Sequence, residues 1–253
     1  MSRRPPLSEM RKCFELLHEK RKAGVNYLPP KFASAHLPLD AFKVGTRDVE
    51  VTALSPSPQD DWNAKESFAG YFVPVDEPAT GLSPIDQNHA SVVLSIKIDQ
   101  EFLLLGADLE RTNSPLTGWN AIVASRMRPQ RHSSLFKIPH HGSANAQSDD
   151  VWRRMLVPSP AAVVTPYTSS GLPRDDGIEW LLERSGTVYA TGLPEISRLR
   201  RRPEVNKMIR EATAQFSSYE LPAQPGVVRF RKMLGMAGAW DAETFGEAQR
   251  LTV

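Results

Sequence analysis

Two short stretches of this chain place groups capable of metal or proton chemistry directly behind apolar runs. In Leu103-Leu104-Leu105-Gly106-Ala107-Asp108-Leu109-Glu110 a carboxylate follows a strand-like segment and a glycine. In Phe136-Lys137-Ile138-Pro139-His140-His141-Gly142-Ser143 two adjacent histidines follow another. The carboxyl ends of strands in α/β sheets are where ligands gather. Imidazole is the commonest metal ligand and also a general acid or base near neutral pH. Each stretch has a plainer reading. A lone Asp past a strand is more often a helix cap, and a His-His pair in a loop is more often a chance surface feature. In extended backbone neighbouring side chains point opposite ways, so one of the two histidines would face a given metal. Gly142 permits a sharp turn behind them, and Ser143 can cap the segment beyond it.

The elements that must hold these groups alternate. Leu7, Met10, Phe14 and Leu17 recur at helical spacing, which predicts an amphipathic helix over 7–23 with Gly24 as its stop. An irregular, Pro-bearing stretch follows to about residue 47, then a strand over 49–54 ended by Ser55-Pro56-Ser57-Pro58. Residues 59–87 lack a steady period and read as a long surface loop. Strands over 91–98 and 101–105 form a hairpin through Asp99-Gln100. Beyond it, helices over 117–127, 149–156 and 175–185 alternate with strands at 135–138, 161–165 and 187–190. Val227-Val228-Arg229-Phe230 makes a last strand, and the tail after Gly235 reads as a short helix or as disordered. This alternation predicts a layered α/β fold. The expected divisions are 1–44 (helix and irregular linker), 45–232 (main domain) and 233–253 (tail).

Composition narrows the function classes. No apolar run approaches the roughly 18 residues of a membrane helix, and no apolar segment follows the basic N-terminus, so a soluble, cytoplasmic protein is expected. One cysteine, Cys13, excludes an internal disulfide and a cysteine-based zinc cluster. A net charge of +2 neither demands nor excludes a polyanionic partner. The densest basic run, Arg198-Leu199-Arg200-Arg201-Arg202, reads as a solvated face, or else as a contact to a phosphate backbone. Trp62, Phe68, Tyr71 and Phe72 in the 59–87 segment would anchor it to the sheet, or else stack on bases.

Taken together the two chemical stretches resemble the metallo-β-lactamase superfamily. Within it the likeness is to the nuclease-like domain at the C-terminus of bacterial DNA-uptake channel proteins. The matching positions are Asn88, Ser91, the apolar hairpin through Leu105, Gly106 with Asp108, and Phe136 through Ser143; Val51-Thr52-Ala53-Leu54-Ser55-Pro56 resembles the preceding strand. The resemblance spans about residues 45–192 and implies the C-terminal half of an αββα sandwich. It implies Asp108 as a carboxylate bridging two divalent ions (zinc or manganese) and His141 as a ligand to one of them. It implies His140 as a catalytic group touching phosphate or protonating a leaving group, and Lys137 and Ser143 as substrate contacts. The implied reaction is metal-dependent hydrolysis of a phosphodiester, with nucleic acid among the substrates.

The chain departs from the family pattern in two places. Ala107 separates Gly106 from Asp108, which the family has adjacent. The defining first motif, His-x-His/Asp-x-Asp-His, matches none of the six histidines His18, His36, His89, His132, His140 and His141. The chain thus reads as beginning midway through the domain. Asp108 and His141 give two ligands where a catalytic zinc takes about three from protein. Two functions are compatible with this: a hydrolase completed by a second chain carrying the missing half, or an inactive or split-half module that binds a partner or ligand.

Overall fold

A computed structural model describes residues 5–24, 31–69, 87–167, 170–192, 226–235 and 238–252. The chain divides into two units, Met1–Phe32 and Ala33–Val253. The first holds one helix, α1 (Pro5–Lys22), as its apolar spacing predicts. Lys20, Arg21 and Lys22 complement the negative end of its dipole, and Gly24 leaves it at φ 65°. From residue 11 onward its side chains are exposed, Phe14 and Cys13 included.

The second unit is built on one mixed sheet of eight strands. They are β1 (Leu37–Val44), β2 (Arg47–Ala53), β3 (Leu94–Ile98), β4 (Glu101–Leu105), β5 (Ser133–Lys137), β6 (Leu156–Val164), β7 (Val188–Ala190) and β10 (Gln249–Arg250), in that order across the sheet. A separate hairpin pairs β8 (Val227–Arg231) with β9 (Asp241–Phe245). The first four strands are antiparallel, and Gly45 and Asp99 take positive φ in the tight turns that join β1 to β2 and β3 to β4. From β4 to β7 the strands run parallel. Parallel neighbours need a crossover, and α3 (Gly118–Ala124), α4 (Asp149–Met155) and α5 (Asp175–Arg184) supply one each. The protein is therefore an α/β protein.

The register shows why the core sits under those helices. Thr52, Ser95, Leu104, Phe136, Ala162 and Val188 lie side by side across six strands. Phe136 receives Trp119 of α3 and Trp152 of α4 edge-on, at ring separations of 6.4 and 5.6 Å. Trp180 of α5 stands edge-on to Trp152 at 5.9 Å. Beyond this core, Phe230 of β8 packs edge-on against Tyr189 of β7 at 5.6 Å.

Four expectations are corrected. The stretch before residue 44, expected irregular, contains β1, whose alternation Asp40, Phe42, Val44 is mostly solvent-facing and so gives no amphipathic signal. Part of the supposed 59–87 loop is a helix, α2 (Pro58–Ala69). Its start is a reciprocal cap: Asp60 N–H donates to Ser57 Oγ at 3.0 Å, and Ser57 N–H donates to Asp60 Oδ2 at 3.3 Å. The tail after Gly235 holds β9 and β10 rather than a helix. Trp62, expected to anchor the segment, is 65 % exposed on α2. The Phe68 side chain, Tyr71, Phe72 and the run Arg198–Arg202 lie outside the described residues. Among the described residues no helix is long and apolar enough to cross a membrane.

His36, just before β1, contributes a pH dependence. Its Nε2 lies 2.7 Å from Ser125 Oγ, and burial holds its pKa below the usual imidazole value. A histidine takes up its proton near pH 6.5 when unfolded and at a lower pH in the fold. Between the two values the unfolded chain binds more protons, so stability is full above about pH 6.5 and falls as pH drops toward the folded value. His36→Asn, which tolerates the φ of 65° here, should flatten that decline. Melting temperatures of both proteins across the acid range measure it; equal slopes would remove His36 as the cause.

Candidate functional site

The carboxyl ends of β4, β5 and β6 lie side by side, and the loops leaving them form the site. Gly106 follows β4, and its N–H donates to the Lys137 carbonyl at 3.0 Å. A Cβ at Gly106 would stand 2.9 Å from both Lys137 O and Pro139 N, so the close approach needs glycine. Ala107 then turns at φ 47° and its carbonyl accepts the His140 N–H at 2.9 Å. The residue that separates Gly106 from Asp108 is thus itself a left-handed turn that joins the two loops. On the other loop His140, Gly142 and the intervening His141 have φ of 41°, 77° and 55°. A left-handed non-glycine residue costs about 1–2 kcal/mol, so Ala107, His140 and His141 store strain that the surroundings must offset.

This turn sends the two histidines to different partners. His141 Nδ1–H donates to the Thr165 carbonyl at the end of β6, at 2.7 Å. That bond places a proton on Nδ1, so in the neutral ring the lone pair is on Nε2. Nε2 lies 3.6 Å from Asp108 Oδ1. Tyr167 stacks on the imidazole, with ring centroids 5.1 Å apart. Thr165 and Tyr167 carry no sequence signal, since a carbonyl at a strand end and an aromatic beyond it are common in any α/β chain.

His140 turns toward Glu110 and Asn88. The Asn88 amide donates to Glu110 Oε1 at 2.9 Å and stands 3.3 Å from His140 Nε2. An amide nitrogen only donates, so Nε2 accepts and the His140 proton is on Nδ1. Nδ1 lies 3.0 Å from Glu110 Oε1 but off the line of an aligned hydrogen bond. Nε2 is thus the ring nitrogen held by a hydrogen bond, while Nδ1 lies beside the Glu110 carboxylate without one. Glu110 stood in the Asp108-Leu109-Glu110 stretch without attracting a role.

Lys137 ends β5 and is half-buried, its ammonium donating to the Ile138 carbonyl at 3.2 Å. Burial pushes its pKa below that of an ordinary lysine, and the charge of Asp108 partly opposes this. Ser143 donates its N–H to the His140 carbonyl at 2.9 Å and lines a small apolar void with Trp119, Ile138 and Trp152.

Two lone-pair donors facing each other fit a cation between them. Two ligands of a tetrahedral zinc with bonds of 2.0–2.2 Å stand about 3.4 Å apart, close to the 3.6 Å between His141 Nε2 and Asp108 Oδ1. The carbonyl bond on Nδ1 is the second partner that a metal-binding imidazole normally carries. The fit extends to two donors: among the described residues no group of three or more His, Cys, Asp or Glu is placed to hold a metal. No family model, curated protein or solved structure matches the chain.

Proposed function

We propose that this chain is a metal-dependent hydrolase of the metallo-β-lactamase type, acting on phosphodiesters, in which Asp108 and His141 are two of the metal donors. The observation that supports it is the His141 imidazole, fixed by Thr165 with its free Nε2 turned to Asp108 Oδ1. The α/β architecture, one eight-stranded mixed sheet with helices packed over Phe136, agrees with one half of an αββα sandwich. The remaining donors would come from the half of the domain that carries the first motif. A bound zinc or manganese ion would lower the pKa of a coordinated water and draw charge from a phosphoryl oxygen. Asp108 and His141 would hold and orient that ion, while Lys137 brings a half-buried positive charge to the same strand ends. Nucleic acid is the substrate class the resemblance favours.

A second reading is a module that binds a partner or ligand without turnover, favoured by the count of two donors. One experiment separates the two. The purified chain is loaded with Zn²⁺ or Mn²⁺, bound metal per chain is counted, and bis-p-nitrophenyl phosphate and linear DNA are offered. Asp108→Ala and His141→Ala should each weaken metal binding by more than about 100-fold, since loss of an outer-shell partner alone costs 10–100-fold. Metal bound without turnover, both in the chain alone and once the half carrying the first motif is supplied, selects the binding module. Metal binding that both variants leave intact removes the site.

A further inference from the structure

We infer that Glu110 and Asn88 are positioning residues that act through His140 to present His141 to Asp108. The inference rests on the reading of Asp108 and His141 as metal donors. His140 and His141 are consecutive residues of one left-handed turn, so the side chain that fixes the first also fixes the backbone that carries the second. Three contacts hold His140: its N–H on the Ala107 carbonyl at 2.9 Å, its Nε2 at 3.3 Å from the Asn88 amide, and its Nδ1 at 3.0 Å from Glu110. Ala107 is the residue that aims Asp108, so the first contact ties the two candidate donors together.

The supports of Glu110 and Asn88 lie outside the pair they serve. Glu110 is anchored through its own backbone, whose carbonyl accepts the Trp119 N–H at 3.1 Å from the start of α3. Asn88 sits in a short 3-10 turn, Gln87–Ala90, ahead of β3. Its amide bridges Glu110 and His140, joining this turn to the β4 and β5 loops. The side chains of Glu110 and His140 are 13 % and 19 % exposed, against 49 % for Asp108. A clamp of low exposure beside an open donor pair is the arrangement expected of groups that orient ligands rather than meet substrate. For His140 Nε2 to reach a substrate it would first have to leave Asn88.

The test reads the position of His141 directly, without metal. Long-range proton–nitrogen correlation spectra of the metal-free chain, recorded where imidazole is neutral, report which ring nitrogen carries each proton. In the wild type His141 should show a proton on Nδ1 alone, matching its bond to Thr165. Glu110→Ala and Asn88→Ala should shift it to the mixed tautomers of a free imidazole and lower zinc affinity about 10–100-fold. Glu110→Gln, whose carbonyl can still face Nδ1, should restore the single tautomer. A His141 that stays locked in the folded Asn88→Ala protein overturns the inference. If the wild type binds no zinc but its locked tautomer is lost in the variants, the positioning role stands and the metal reading fails.

Discussion

Trp119→Ala should destabilise the protein by about 3–5 kcal/mol, the range for deleting a buried tryptophan. Trp119 has no solvent exposure, and its ring meets Phe136 edge-on at the centre of the sheet. It also touches the site. Its indole N–H donates to the Leu109 carbonyl at 2.7 Å, between Asp108 and Glu110. Truncation leaves a cavity and an unsatisfied buried carbonyl, which alone costs about 1–3 kcal/mol. Trp119→Phe separates the two roles, because the ring packing is largely retained and the hydrogen bond is lost. The expected result is a modest fall in urea midpoint with a clear fall in zinc affinity. Equal affinities in Trp119→Phe and wild type would show that the core bond does not position the Asp108 loop.

Gly118→Ala should be nearly as damaging, by about 2–5 kcal/mol, for a different reason. Gly118 begins α3 at φ 56°, and a Cβ there would lie 2.3 Å from the Glu110 carbonyl oxygen. Left-handed strain contributes about 1–2 kcal/mol and overpacking about 1–3 kcal/mol. The clash is with backbone, so no rotamer change relieves it. Gly45→Ala is the control: its φ is 61° but nothing lies within 4 Å of the added carbon. Urea unfolding of both variants should show strain alone at Gly45 and strain with a clash at Gly118. Similar losses would mean that the Glu110 carbonyl moves freely, and with it the anchor of the His140 clamp.

Much of this architecture is legible in the chain. The apolar runs over 101–105 and 135–138 mark β4 and β5 because buried parallel strands are nearly continuous in apolar residues. The Asp99-Gln100 turn marks its hairpin, and Asp108 and His141 are recognisable as candidate ligands behind those strands. The elements that escaped have physical reasons for doing so. β1 faces solvent along most of its length, so its sequence carries little alternation. α2 begins at Ser57-Pro58-Gln59-Asp60, a capping pattern masked by the Ser-Pro repeat that reads as a strand end. The clamp on His140 joins Asn88 to residues 22 and 52 positions away, distances at which spacing in sequence says nothing about contact. The turn at His140 and His141 was equally hidden, because two non-glycine residues with positive φ run against local preference and are fixed by the neighbouring loops.

The order of strands in the sheet has a consequence for synthesis. From β1 to β7 each strand pairs with the one made just before it, so every new strand meets a partner already in place as it leaves the ribosome. Such step-by-step pairing lets structure grow with the chain at the roughly 5–20 residues per second of translation. The exception is β10, whose two residues pair with Tyr189 and Ala190 only after some sixty more residues have been made. Among the described strands only β10 covers that edge of β7, so until it is made the edge offers backbone groups with which a nascent chain would pair with a neighbour on the same messenger or engage a chaperone.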